Sequence, residues 1–100
     1  MAKIINISDK LSKDKPKLKV GEQVYAIDDS LVTVMKFEEL ATESTTDSMV
    51  SAIEIALGKE AVEELGVRTM SIVNFKVIMT AILAAMQDLT YDEAEARFPK

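Results

Sequence analysis

Cysteine and histidine are both missing from this chain of 100 residues, and so is tryptophan. Without cysteine there is no disulfide, and no thiolate to attack a substrate or ligate a soft metal. Without histidine the usual general base near neutral pH is gone, along with the commonest metal ligand. A Ser-His-Asp triad is therefore impossible, and a catalytic serine would need a lysine base that no pattern here points to. No apolar run reaches the roughly 20 residues of a membrane span, because Lys76, Gln87 and Asp88 cut the longest one short. The N-terminus lacks the apolar h-region of a signal peptide, which makes a cytoplasmic location the expectation.

What is present belongs to a globular protein: 48% apolar and 29% charged residues, enough for one small domain with a modest core. The net charge of −5 hides an asymmetry. Residues 1–20 hold six Lys and two Asp, a charge of +4, and the remaining residues carry −9. The basic segment can fold back, meet an acidic neighbour, or simply be solvated. The acidic body repels phosphate, so nucleic acid is not an expected partner. Six methionines suit an adaptable core or a yielding binding surface.

Ser71 to Leu89 organises the rest. Phe75, Val77, Ile78, Met79, Ala81, Ile82, Leu83, Ala84, Ala85 and Met86 cover most of a helical wheel, leaving a narrow wet stripe at Lys76, Thr80 and Gln87. Such a helix needs partners on several sides. Ahead of it, Lys3–Ser8 is β-prone, and Asp9–Lys17 is a Lys-rich, mobile connector holding Pro16. Leu18–Val20 and Gln23–Ile27 flank a Gly21-Glu22 turn, the signal of a hairpin. Alternation places Leu18 and Val20 on one face, with either Val24 and Ala26 or Tyr25 and Ile27 across from them. A lone hairpin is marginal, so it must lean on the helices, pair with Ile4–Ile7, or pair with another chain.

The fold expected is mainly α: a hairpin at 18–27, with Ile4–Ile7 as a possible third strand, then helices at 29–43, 47–57, 59–65, 71–88 and 91–97. These form one domain over 18–100, preceded by the short β-prone segment and connector of 1–17. Asp28-Asp29-Ser30 caps the first helix, whose apolar arc is Leu31, Val34, Met35, Phe37 and Ala41. Thr42–Thr46 breaks it. Met49, Val50, Ile53, Ala56 and Leu57 line the second, and Gly58 stops it. Gly66 ends the third, with Val67 placed for a Schellman close. Thr90-Tyr91-Asp92-Glu93 is a capping box for the last helix, which halts before Pro99.

Three features invite a chemical reading. Asp29-Ser30-Leu31 matches the tripeptide on which acyl carrier proteins mount phosphopantetheine, but carriers place a long helix and loop ahead of that serine, and helix capping explains it here. Asp28 with Asp29, or Glu60 with Glu63 and Glu64, are candidate metal or acid–base carboxylates. Neither group has the spacing of a calcium loop, and acids early in a helix also meet its dipole favourably. The Thr42–Ser48 run is hydroxyl-rich with no base to activate it. No catalytic residue, metal site or cofactor is expected.

A binding or assembly role remains. The β element KLKVGEQVYAIDDS leads into an acidic helical body that closes on an apolar helix and the sequence Leu89-Thr90-Tyr91-Asp92-Glu93-Ala94-Glu95-Ala96-Arg97-Phe98. Over residues 18–98 this resembles the small tail assembly chaperones of long-tailed phages and prophages of Gram-positive bacteria. The resemblance implies a protein that binds the tape measure protein, keeps its apolar helices from aggregating, and is displaced as the tail tube polymerises. It also implies a short form and a frameshifted long form, and Pro99-Lys100 is codon-compatible with a slippery run. Partner contact would fall to Tyr91, Phe98, Met86 and Leu89, which can equally be core. The hairpin edge, with Val20, Val24, Tyr25 and Ile27, would serve a homo-oligomer. Two other readings are a small acidic regulator or anti-repressor occupying a nucleic-acid-binding protein, and a minor structural protein of the tail.

Overall fold

The computed structural model describes residues 3–11, 14–43 and 45–97. The hairpin signal becomes β1 (Lys17–Val20) and β2 (Gln23–Ala26), antiparallel, with Leu18 opposite Tyr25 and Val20 opposite Gln23. Gly21 sits at φ 61° while Glu22 does not go positive, the sign pattern of a II′ turn that asks for glycine first. The register chooses between the two alternations. Leu18, Tyr25 and Ile27 share the inner face, and Lys17, Lys19, Val24 and Ala26 the exposed outer one. The hairpin leans on the helices, as its marginal stability requires. Ile27 is buried, its N–H donates to the Pro16 carbonyl at 3.0 Å, and the Asp28 N–H donates to the Ala56 carbonyl at 2.9 Å. The third strand does not form. Lys3–Ile7 runs irregularly into a 3-10 turn at Ser8–Lys10, and the sheet has two strands.

Five helices follow, within one or two residues of their expected bounds: α1 (Leu31–Thr42), α2 (Thr46–Leu57), α3 (Lys59–Leu65), α4 (Ile72–Gln87) and α5 (Tyr91–Arg97). Hydroxyls start most of them. Ser30 accepts from the Thr33 N–H, Thr45 from Ser48 and Ser71 from Asn74, each relieving one of the unpaired N–H groups of a first turn. The capping box at α5 forms on both sides: Thr90 N–H to Glu93 Oε1 at 2.9 Å, and Glu93 N–H to Thr90 Oγ1 at 3.1 Å. Gly66 is left-handed, its N–H donates to Glu63 and the Val67 N–H to Val62, a full Schellman close with Val67 and Val62 both in the core. Gly58, at φ 97°, donates to Glu54 and ends α2 where α3 begins.

The core lies between α2 and α4. Ala52, Ile53 and Ala56 of α2 and Phe75, Ile78, Met79, Ile82, Leu83 and Ala84 of α4 are joined by Ile27, Phe37, Val62, Val67 and Ala94. Alanines at the contact let helix axes come close, and the large side chains fill the space beside them. Two expectations are corrected here. Thr80 is not on a wet stripe: it is buried, and its hydroxyl donates to the Lys76 carbonyl at 2.8 Å, so the helix itself satisfies it. One turn earlier the same stripe is open, and Val73 and Val77 face solvent beside Lys76. Nor is the α1 arc continuous. Phe37 is fully buried, whereas Leu31 and Met35 stand exposed.

α4 ends on Asp88, the one non-glycine residue at positive φ (54°) among the described residues. Its N–H and that of Leu89 both reach the Ala84 carbonyl. Aspartate there carries left-handed strain and sets a negative charge at the negative end of the helix dipole. Asp88→Gly relieves both, so thermal unfolding should show Tm rising by about 3–6 °C, the equivalent of ~0.5–1 kcal/mol in a domain of this size. An unchanged or lower Tm would contradict this account of the α4 end.

Candidate functional site

The residues singled out for chemistry are engaged in holding up the backbone. Ser30 Oγ accepts from the Thr33 N–H and donates to Thr33 Oγ1 at 3.1 Å. Asp28 accepts from the Ser30 N–H at 3.0 Å and from the Thr33 hydroxyl at 2.8 Å. The backbone bond from Ser30, then the hydroxyl of Thr33, hold the Asp28 carboxyl below the usual carboxylate range. Glu93 is lowered in the same way by the Thr90 N–H and side chain. Among the described hydroxyls of this run, Thr42 donates to the Glu38 carbonyl, Thr45 donates to Ser48, and Ser48 donates to the Glu43 carboxylate. Glu60, Glu63 and Glu64 are exposed on α3. Among the described residues, no three His, Cys, Asp or Glu side chains gather closely enough to hold a metal. No single helix there is long and apolar enough to cross a membrane.

The partner-contact residues at the C-terminal end do not form an open site. α5 leaves α4 at 109°. Met86 and Leu89 at that corner are half-buried against the core, and Ala94 of α5 is fully buried. Arg97 donates to the Gln87 Oε1 at 2.8 Å, tying the far end of α5 back to α4. Tyr91 is exposed at the first position of α5. Phe98 lies outside the described residues.

The proposed edge residues are separated by the pleat. Val20 and Val24 are exposed but on opposite faces, and Tyr25 is half-buried. Ile27 is corrected from edge to core: at 1% exposure it has no surface left for another chain.

An accessible apolar surface lies elsewhere. Thr46, Asp47 and Val50 of α2, Val67, Arg68 and Met70 of the α3–α4 connection, and Ile72 and Phe75 of α4 line an open groove of about 360 Å³. Ile72 stands exposed at its edge, while Val73 and Val77 are exposed on the Lys76 side of α4, turned away from Phe75 and the groove. Thr46, Asp47 and Arg68 supply its polar lining. Arg68 stands 3.9 Å from Glu54, and both side chains are well exposed, so that pair adds little rigidity. The groove was hidden in the sequence because Ile72 looks the same as core. The available signal was excess: α4 carries more apolar surface than so short a chain can cover.

Two measurements test the capping account. Ser30→Ala should cost about 1 kcal/mol in urea unfolding, and the native chain should show no mass gain with a phosphopantetheinyl transferase. A gain of the prosthetic mass would reinstate the carrier reading. Because the folded pKa values of Asp28 and Glu93 lie below their ordinary ones, their stabilisation is full near neutrality and fades as pH falls through the lowered values. The urea midpoint should therefore drop below about pH 4, and Asp28→Asn with Glu93→Gln should flatten that drop. A double variant with an unchanged acid limb would refute the assignment.

No family model, curated protein or solved structure matches this chain.

Proposed function

We propose that this chain is a non-enzymatic assembly chaperone that shelters an apolar helical segment of a client protein. The observation that carries the reading is the apolar groove between α2 and α4, with Ile72 exposed at its edge, on a body of net negative charge. A holding protein needs greasy surface that its own core does not consume, on a body charged enough to stay dispersed in water. An amphipathic helix laid into the groove would set residues at i, i+3, i+4 and i+7 against Val50, Met70 and Phe75, with the thioether of Met70 able to adapt. A helix with basic residues on its outer face suits the acidic surroundings. The C-terminal resemblance names the client: the tape measure protein of a long-tailed phage, whose long apolar helices must be kept apart until the tail tube forms around them.

The test is co-expression with a tape measure fragment. The fragment should stay in the supernatant and co-elute with this chain. Ile72→Asp should weaken capture about tenfold or more while leaving the helical circular dichroism unchanged, since that side chain lines the groove and already faces solvent. A fragment that precipitates regardless, or is captured equally well by the variant, would overturn the reading.

A further inference from the structure

The first described segment, Lys3–Leu11, exposes every large apolar side chain it has: Ile4 (91%), Ile5, Ile7 and Leu11. Among the described residues its hydrogen bonds are local, Ser8 N–H to Asn6 Oδ1 and Lys10 N–H to the Ile7 carbonyl. It stands off the body. The radius of gyration is 15.4 Å and the longest extent 60 Å, against about 13 Å for a compact chain of this length. The segment is also basic, with Lys3 and Lys10 near its ends against a single Asp9.

A surface of matching character lies on α1. Leu31, Val32 (78% exposed) and Met35 form one stripe at helical spacing. Glu38 and Glu39 continue that stripe, and Asp28 and Asp29 precede it, all exposed. It is thus an apolar strip with acid at both ends, and the segment is an apolar strip with lysine near both ends. The root of the segment is beside this strip: Pro16 is bonded to Ile27, and Lys15 acts on the Asp28 carboxylate. The segment leaves the body next to its own α1 and covers none of it.

We infer that Lys3–Leu11 of one copy docks on the Leu31–Val32–Met35 strip of a second copy, and that the exchange is reciprocal. A two-fold arrangement makes both contacts with the same pair of surfaces, so each copy gives an arm and receives one. Seven large apolar side chains per copy leave water in this way: Ile4, Ile5, Ile7, Leu11, Leu31, Val32 and Met35. Fourteen over the pair suffice for the roughly 1,000 Å² that a specific interface needs. The lysine–carboxylate match sets the direction of the arm and makes association weaken with salt. This pairing does not depend on the client-binding groove, which lies at the other end of α2.

The absence of cysteine makes the contact directly readable. Ile5→Cys and Met35→Cys are made in separate full-length preparations, mixed and oxidised. A disulfide-linked band at twice the chain mass, exceeding the homodimer bands of either preparation alone, is the expected result. Light scattering of the native chain should show a dimer, and Ile4→Asp with Ile5→Asp should weaken association about tenfold or more with helical content intact. Both substitutions fall on exposed side chains, so folding is not at stake. A native chain that is monomeric at all concentrations would overturn the proposal. So would a dimer insensitive to the arm variant, or a chain carrying both cysteines that closes on itself as a monomer.

Discussion

The contact between α2 and α4 sets the terms for everything around it. Ala52 and Ala56 on one side let Phe75, Ile78, Met79 and Ile82 on the other come close, with Ile53 filling the gap between. α2 is also covered by α1, which packs along it, so it is held between two helices. The other elements attach to the α2–α4 contact: the hairpin through Ile27, α1 through Phe37, α3 through Val62, and α5 through Ala94. Fifteen apolar residues are buried among those described, and five of them are alanine. A core that small must be well packed to offset the chain entropy it fixes, and it cannot grow to cover every apolar side chain the sequence carries.

That limit explains both what the sequence revealed and what it concealed. Local chemistry was largely legible. The hydroxyls that start α1, α2 and α5, the glycines at 21, 58 and 66, and the Thr90–Glu93 box each answer to backbone groups a few residues away, so their roles do not depend on the tertiary arrangement. Side-chain destinations were less so. Val73 and Ile82 look alike on a helical wheel, yet one faces solvent and the other is fully buried. Which is which depends on how far along α4 its partners reach, a property of α2 and the hairpin rather than of α4. Thr80 was misread for the same reason, because a threonine that bonds its own helix carbonyl can be buried without cost to the ladder. The Asp88 cap escaped notice because glycine, not aspartate, advertises a left-handed helix end.

The candidate site was legible mainly by subtraction. No histidine or cysteine means no ready base, nucleophile or soft-metal ligand. The serines and acids that could have stood in for them are occupied: Ser30 caps, Asp28 takes two donors, and Glu93 closes its box. On the proposed reading, function on this scaffold falls to its surface. At the C-terminal corner, Met86, Leu89 and the Arg97–Gln87 bond take part in the fold, while Tyr91 stays exposed. The open apolar surface lies instead where the core runs out, at the beginning of α1 and the beginning of α4.

These two surfaces lie at opposite ends of α2. The start of α1 is fixed beside Ala56 by the Asp28 bond, while the groove is built on Thr46, Asp47 and Val50. The stretch of α2 from there to Ala56 holds them roughly 9–15 Å apart. On the proposed readings, one end serves a second copy and the other a client, and neither occupant blocks the other. A pair joined at its α1 ends would then present two grooves to one chain. Because tape measure helices are long, the second groove would bind at the high effective concentration set by the first, and modest affinity at each would add up to firm retention. The same arithmetic would permit release of the proposed client, since a competitor would need to displace only one weak contact at a time.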